Sequence, residues 1–216
     1  MRLIRSAACA LFCLASLPAF ALSEQGQQQL QALQERWAEI NYRLPEAQQE
    51  KAFAALSEQA QQAVASEPQA AELQIWHGII LSTYAGAKGG LGALGLVKQA
   101  KASLEQGLAL DPKALSGSAY TSLGSLYYQV PGWPLGFGDD DKAEAMFKQA
   151  LAINPDGIDP NYFYADYLFQ AKRYGEAKTA LEKALQAPPR PNRASADAGR
   201  KEEIATLLAK VKAKLD

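Results

Sequence analysis

Few residues in this 216-residue chain could do chemistry: one histidine, His77, and two cysteines, Cys9 and Cys13. A catalytic histidine could only be His77, and a zinc site built on His and Cys ligands lacks members. His77 directly precedes Gly78, at a position suited to packing, so a partly buried structural role fits it better than catalysis. Asp139, Asp140 and Asp141 stand in a row and could hold a divalent cation. The better reading is a helix start, with Asp139 or Asp140 capping free amides and the other acids facing the positive end of the helix dipole.

The stretch from Asn154 to Asp159 has the look of a calcium loop. With Gly157 as the loop's central glycine, however, the twelfth position falls on Phe163, where a bidentate Glu is required. Turn chemistry explains the stretch instead: Pro155 stops one helix, Gly157 turns the chain, and Asp159-Pro160 caps and starts the next. Gly86, Lys88, Gly89, Gly90 and Gly92 lack the Gly-Lys-Ser/Thr order and the preceding strand of a phosphate loop, and read as a glycine-rich crossing between helices. No cofactor, no metal and no enzymatic activity are expected.

The elements that would position these residues are helices throughout. Leu30, Leu33, Trp37 and Ile40 recur at helical spacing between Ser23 and Pro45, and Phe53, Leu56, Ala60, Ala63 and Val64 do so between Glu46 and Pro68. These two form an N-terminal hairpin over residues 22–70. Three further units follow at 71–114, 117–157 and 158–191. Each pairs a small residue of a first helix with one of a second: Gly78 with Ala100, Gly124 with Ala143, Ala165 with Ala177. A last amphipathic helix over 192–216, capped by Ser195 or Asp197, carries Ile204, Leu207, Leu208, Val211 and Leu215 on one stripe. No segment alternates long enough to require a strand.

Those spacings, with Pro155 and Pro189 34 residues apart, resemble the tetratricopeptide repeat, a helical hairpin of about 34 residues. The resemblance implies an all-α, right-handed stack of hairpins, an α-α superhelix with a concave groove and a C-terminal capping helix. Two units carry long insertions between their first and second helices: a glycine-rich one from Tyr84 to Gly95, and Val130 to Asp139 with Trp133, Leu135 and Phe137. Both should lie on one edge and touch, Trp133 and Phe137 burying against Leu91, Leu94 and Leu96 or forming a rim beside the groove. By repeat register the groove is expected to present Ile75, Ile79, Ser82, Thr121, Ser125, Tyr128, Tyr162, Asp166 and Phe169, a surface for a protein or peptide segment or a small organic ligand. More loosely, Leu126 to Leu168 resembles the T-component proteins of tripartite ATP-independent periplasmic transporters, which implies an accessory role beside a periplasmic solute-binding protein.

The N-terminus reads as an export signal, with Arg2 and Arg5, an apolar run from Ala7 to Leu17, and the site Ala19-Phe20-Ala21. That run is too short to span a bilayer, and neither cysteine stands where a lipoprotein signal needs one, so no membrane anchor is expected after cleavage. Removing Arg2 and Arg5 leaves 20 basic against 23 acidic residues, a net charge of about −3. No basic stripe with interleaved aromatics exists, which argues against nucleic acid as a partner. The expected product is an exported protein, periplasmic in a Gram-negative cell, of open oligomeric state.

Overall fold

The computed structural model describes residues 22–215, and the expected export signal, with Arg2, Arg5, Cys9 and Cys13, lies outside them. Nine α-helices account for the described chain, with no strand among them: α1 (Glu24–Arg43), α2 (Glu46–Ser66), α3 (Ala71–Lys88), α4 (Ala93–Leu110), α5 (Ser118–Gln129), α6 (Asp140–Ile153), α7 (Ile158–Gln170), α8 (Tyr174–Leu185) and α9 (Ala194–Leu215). None is long and apolar enough to cross a membrane.

Local chemistry sets the helix ends. Ser23 caps α1 by accepting from the Gly26 amide at 3.0 Å, and α1 ends where Leu44 is held extended ahead of Pro45. Val130 ends α5 in the same way before Pro131. Asp139 caps α6, accepting from the Lys142 amide at 3.0 Å, which keeps its carboxyl below the ordinary range.

Successive helices pair as four hairpins, and close approach depends on their small residues. A Cβ on Gly78 would stand 2.6 Å from Leu104 Cγ and 3.0 Å from the Ala100 carbonyl oxygen, and one on Gly107 would meet Ile75 at 2.7 Å. The first helices of the hairpins then abut: α1 on α3, α3 on α5, α5 on α7. The last helix completes a circuit that the repeat spacing does not contain. It packs on α8 and α7, and its N-terminal part also reaches α1. Ile204, Leu207 and Val211 join the core of α6, α7 and α8, while Ala196 joins the core of α1, α2 and α3. Five inner helices therefore form a closed ring, with α2, α4, α6 and α8 outside.

The two insertions differ from expectation and from each other. The first is no loop. Its alanines, with Ala85 buried, carry the helices through it, so α3 and α4 each run 18 residues and only Gly89 to Gly92 turn. Gly89 and Gly90, at φ +64° and +57°, are the positions where glycine is needed, whereas Gly86 and Gly95 lie in open helix. The second insertion is a true loop, closed by the Asp139 amide on the Tyr127 carbonyl at 2.8 Å and the Gly138 amide on the Pro131 carbonyl at 3.0 Å.

Candidate functional site

The ring borders a half-open cavity of about 1280 Å³. Its walls come from α1 and α2 (Gln34, Trp37, Asn41, Tyr42, Phe53), α3 (Trp76, Ile79, Ser82, Thr83), α5 (Thr121, Ser122, Ser125, Gln129), and the linker and start of α9 (Arg190, Arg193, Arg200). One wall is aromatic. Trp37 meets Trp76 edge-on at 6.0 Å and Tyr42 at 5.7 Å, and its indole Nε1 donates to Thr83 Oγ1 at 2.9 Å. Other lining residues of α3 and α5 are hydroxylic: Ser82 donates to the Gly78 carbonyl at 2.8 Å and Ser125 to the Thr121 carbonyl at 3.1 Å. Their protons are thereby taken up by the helix, which leaves oxygen lone pairs facing a ligand.

The linker side is ionic. Asp159 accepts from Arg190 Nη1 and, at 2.9 Å, from Arg200 Nε. Arg190 also reaches Asp197 at 2.7 Å, and Arg200 reaches Glu203 at 2.5 Å. Burial alone would raise the Asp159 carboxyl, yet the guanidiniums of Arg200 and Arg190 outweigh it and hold the group below the ordinary range. Burial likewise works against the charge of Arg200, which its carboxylates keep protonated, while burial pushes Glu203 up. Arg200 stacks against Tyr162 and Phe163, each 4.5 Å away. Arg43 donates to Ser195 at 2.9 Å and the Tyr42 ring lies against Gly199, so this cluster joins the two ends of the chain.

Of the residues expected in the groove, Ile79, Ser82, Thr121 and Ser125 line the cavity. Ile75 does not: it is fully buried between α3 and α4, because Gly107 draws it into the helix contact. Tyr162 and Asp166 border a separate hollow of about 360 Å³ with Tyr42, Glu203 and Lys210. Tyr128 lines neither; its hydroxyl donates to Asp166 at 2.5 Å, and its ring packs near Phe147 and Tyr167. Burial and the Asp166 carboxylate raise that phenol well above its usual range. Phe169 packs on Tyr174 at 5.6 Å.

The loop residues part company as well. Phe137 meets Tyr127 edge-on at 5.7 Å, under Lys101 of α4. Trp133 is 90% exposed and Leu91 83%, so the expected mutual burial of the two crossings does not occur for them. His77 receives or gives a hydrogen bond at 2.9 Å to Ser103, and its pKa is lowered by burial, consistent with a packing role. No group of three or more metal-ligating side chains comes together among the described residues. Trp37 is in the core, as its helical spacing suggests, and also borders the cavity; sequence reasoning missed Trp76 and the arginines of the linker and α9. Arg190 and Arg193 among three prolines, and Arg200 three residues before Glu203, were the available signal.

Residues 135–199 match the family model of the tetratricopeptide repeat. Among solved structures the chain is similar to a thermophilic tetratricopeptide-repeat protein of Thermus thermophilus, at 18% identity over 85% of this chain and 99% of that one, with a TM-score of 0.45. It is also similar to Pseudomonas aeruginosa pilF, at 14% identity over 89% of this chain and 92% of that one, with a TM-score of 0.34. No curated protein matches.

Proposed function

From the premise that the chain carries the tetratricopeptide repeat, which residues 135–199 match and which is the fold of protein-interaction modules, we propose that it is non-catalytic and holds a protein segment inside its ring. One observation carries this reading: the first helices of successive hairpins turn aromatic and hydroxylic side chains onto a shared cavity of about 1280 Å³. That volume exceeds the several hundred Å³ usual for a drug-sized ligand and suits a few residues of extended chain. The hydroxyl oxygens can accept from a peptide's amides, and the half-buried Ile79, backed by the buried Trp37 and Trp76, can take an apolar side chain.

We further propose that the protein is exported and works after loss of residues 1–21. Leu22, which would become the first residue, packs at the edge of the N-terminal core, and Ser23 already caps α1. Mass spectrometry of protein from the native envelope should find an N-terminus at Leu22.

Photo-crosslinking tests the binding mode. A benzoylphenylalanine placed at Ser82 or Ser125, inside the ring, should form adducts with a protein partner in the source cell. The same group at Thr179, on the exposed side of α8, should not. Equal adducts at all three positions would take the cavity out of the reading.

A further inference from the structure

Three arginines stand at the start of the closing segment, and their surroundings divide them. Arg190 has Asp159 and Asp197, and Arg200 has Asp159 and Glu203. Arg193 has no carboxylate within 4 Å among the described residues. Its guanidinium carbon lies over the Trp76 ring, 4.7 Å from the centroid, it lines the cavity, and its buried Nε meets no acceptor. Burial, with the neighbouring charge of Arg190, lowers its pKa to about 10. A desolvated cation with open donors gains more from an anion than a solvated one does, and stacking fixes the fork so that little freedom is lost on binding.

From this contrast we infer that Arg193 on Trp76 is a recognition subsite for one acidic side chain, Asp or Glu, of the segment held in the ring. The inference rests on the peptide-binding reading above and deepens it. Open donors, rather than an excess of charge, select the occupant. The three guanidiniums are balanced by Asp159, Asp197 and Glu203, but these acids bond only to Arg190 and Arg200, so the donors left for a ligand are those of Arg193, and a monoanionic carboxylate disturbs that balance less than a phosphate dianion would. The planar fork takes a carboxylate through two parallel hydrogen bonds. Beside it, the half-buried Ile79 lines the cavity over the buried Trp37 and Trp76, so the preferred segment has an aromatic or aliphatic residue next to its acid.

An array of amidated hexapeptides, random in sequence and probed with the full chain, tests this whatever the native partner is. The wild type should favour peptides with one Asp or Glu adjoining Leu, Phe or Trp, at least tenfold over their Asn or Gln counterparts. R193M, which keeps an apolar stem on Trp76, should bind both kinds alike, and R193E should prefer Lys or Arg. Circular dichroism and melting temperatures would establish that the variants fold, and R193M serves if R193E does not. An acid preference that survives R193M overturns the subsite. Binding without any charge preference in the wild type overturns it too, while leaving the peptide reading intact. If no peptide binds any form, the peptide reading falls and this inference with it.

Discussion

Where α3 meets α4, the contact is made of small and apolar groups: Gly78 against Leu104 and the Ala100 carbonyl, Gly107 against Ile75. Where α9 meets α7 and α1, it is made of Asp159, Arg190, Arg200, Glu203 and Tyr42, interleaved with aromatic rings. The first seam gains from burying area and from close packing, both insensitive to pH and salt. The second takes charges partly out of water, and it holds only because every charge in it has a partner. Hairpin seams form between neighbours in sequence. The ionic seam joins α1 to α9 across more than 150 residues, Tyr42 touching Gly199. Apolar packing builds the stack, and a specific charge arrangement turns the stack into a ring.

The largest effect should come from removing the acid shared by both paired arginines. Asp159→Ala leaves Arg190 and Arg200, the latter only 7% exposed, short of a counter-charge. The expected loss is about 3 kcal/mol, or about 6–12 °C in melting temperature for a chain of this size, read by thermal unfolding. The acid limb of the stability curve sharpens the comparison. Because the folded-state pKa of Asp159 is lowered, its contribution is complete above the unfolded value of about 3.9 and is lost as pH falls below that. Stability should therefore drop more between pH 5 and pH 2 in the wild type than in Asp159→Ala. The exposed acids Glu67, Asp139 and Glu176, also held below their ordinary range, contribute equally to both and cancel in the difference.

A smaller loss is expected at the apolar seam. In Gly78→Val the added carbons meet Leu104, which is fully buried, and a backbone oxygen that cannot move without its helix. Overpacking of this kind costs about 2 kcal/mol. Unlike the loss at Asp159, it should be the same at pH 3 and pH 7 and in high or low salt. A pH-dependent penalty at Gly78 would erase the distinction between the seams.

Closure itself is tested at Gly199, where a Cβ would stand 2.3 Å from the Tyr42 ring. Gly199→Val should push α9 off α1 while the hairpins keep their packing. The cost is about 1 kcal/mol in stability, together with a larger radius of gyration by small-angle X-ray scattering and unchanged helicity. A radius equal to that of the wild type would mean that α1 and α9 are held by something other than this contact.

The same division decides what could be read from the chain. Gly78, Gly124, Ala143 and Ala165 announce the hairpins because close helix contact demands small residues at fixed intervals, and those intervals are local. Ser23 and Asp139 announce helix starts for the same reason. Asp159 looks like a cap beside Pro160, yet its carboxylate is taken by arginines 31 and 41 residues away. Asp197 looks like a cap and instead accepts from Arg190. Nothing local distinguishes a capping aspartate from one awaiting a distant arginine. The glycine-rich crossing misleads in the opposite direction, since its alanines support helix while five glycines in the ten residues from Gly86 to Gly95 suggest loop. Four of the nine residues expected in the groove, Ile79, Ser82, Thr121 and Ser125, border the cavity, and the reason is geometric. Register places Ser82 and Ser125 on the inner face, but which inner residues border an open space depends on where α9 lies, and repeat spacing carries no information about that.

The two crossings give the smallest expected effect and separate folding from display. In the second loop, Gly138 and Asp139 tie the backbone to Pro131 and Tyr127, and Phe137 anchors the loop between Tyr127 and Lys101. Trp133 contributes to none of this at 90% exposure. Trp133→Ser should therefore change stability by no more than about 0.5 kcal/mol, whereas Phe137→Ala should cost about 1–2 kcal/mol through lost apolar burial. Urea unfolding of the two variants side by side measures the difference. A loss at Trp133 as large as that at Phe137 would mean that the indole is buried in solution, as the repeat register alone suggests, and that the two crossings meet after all.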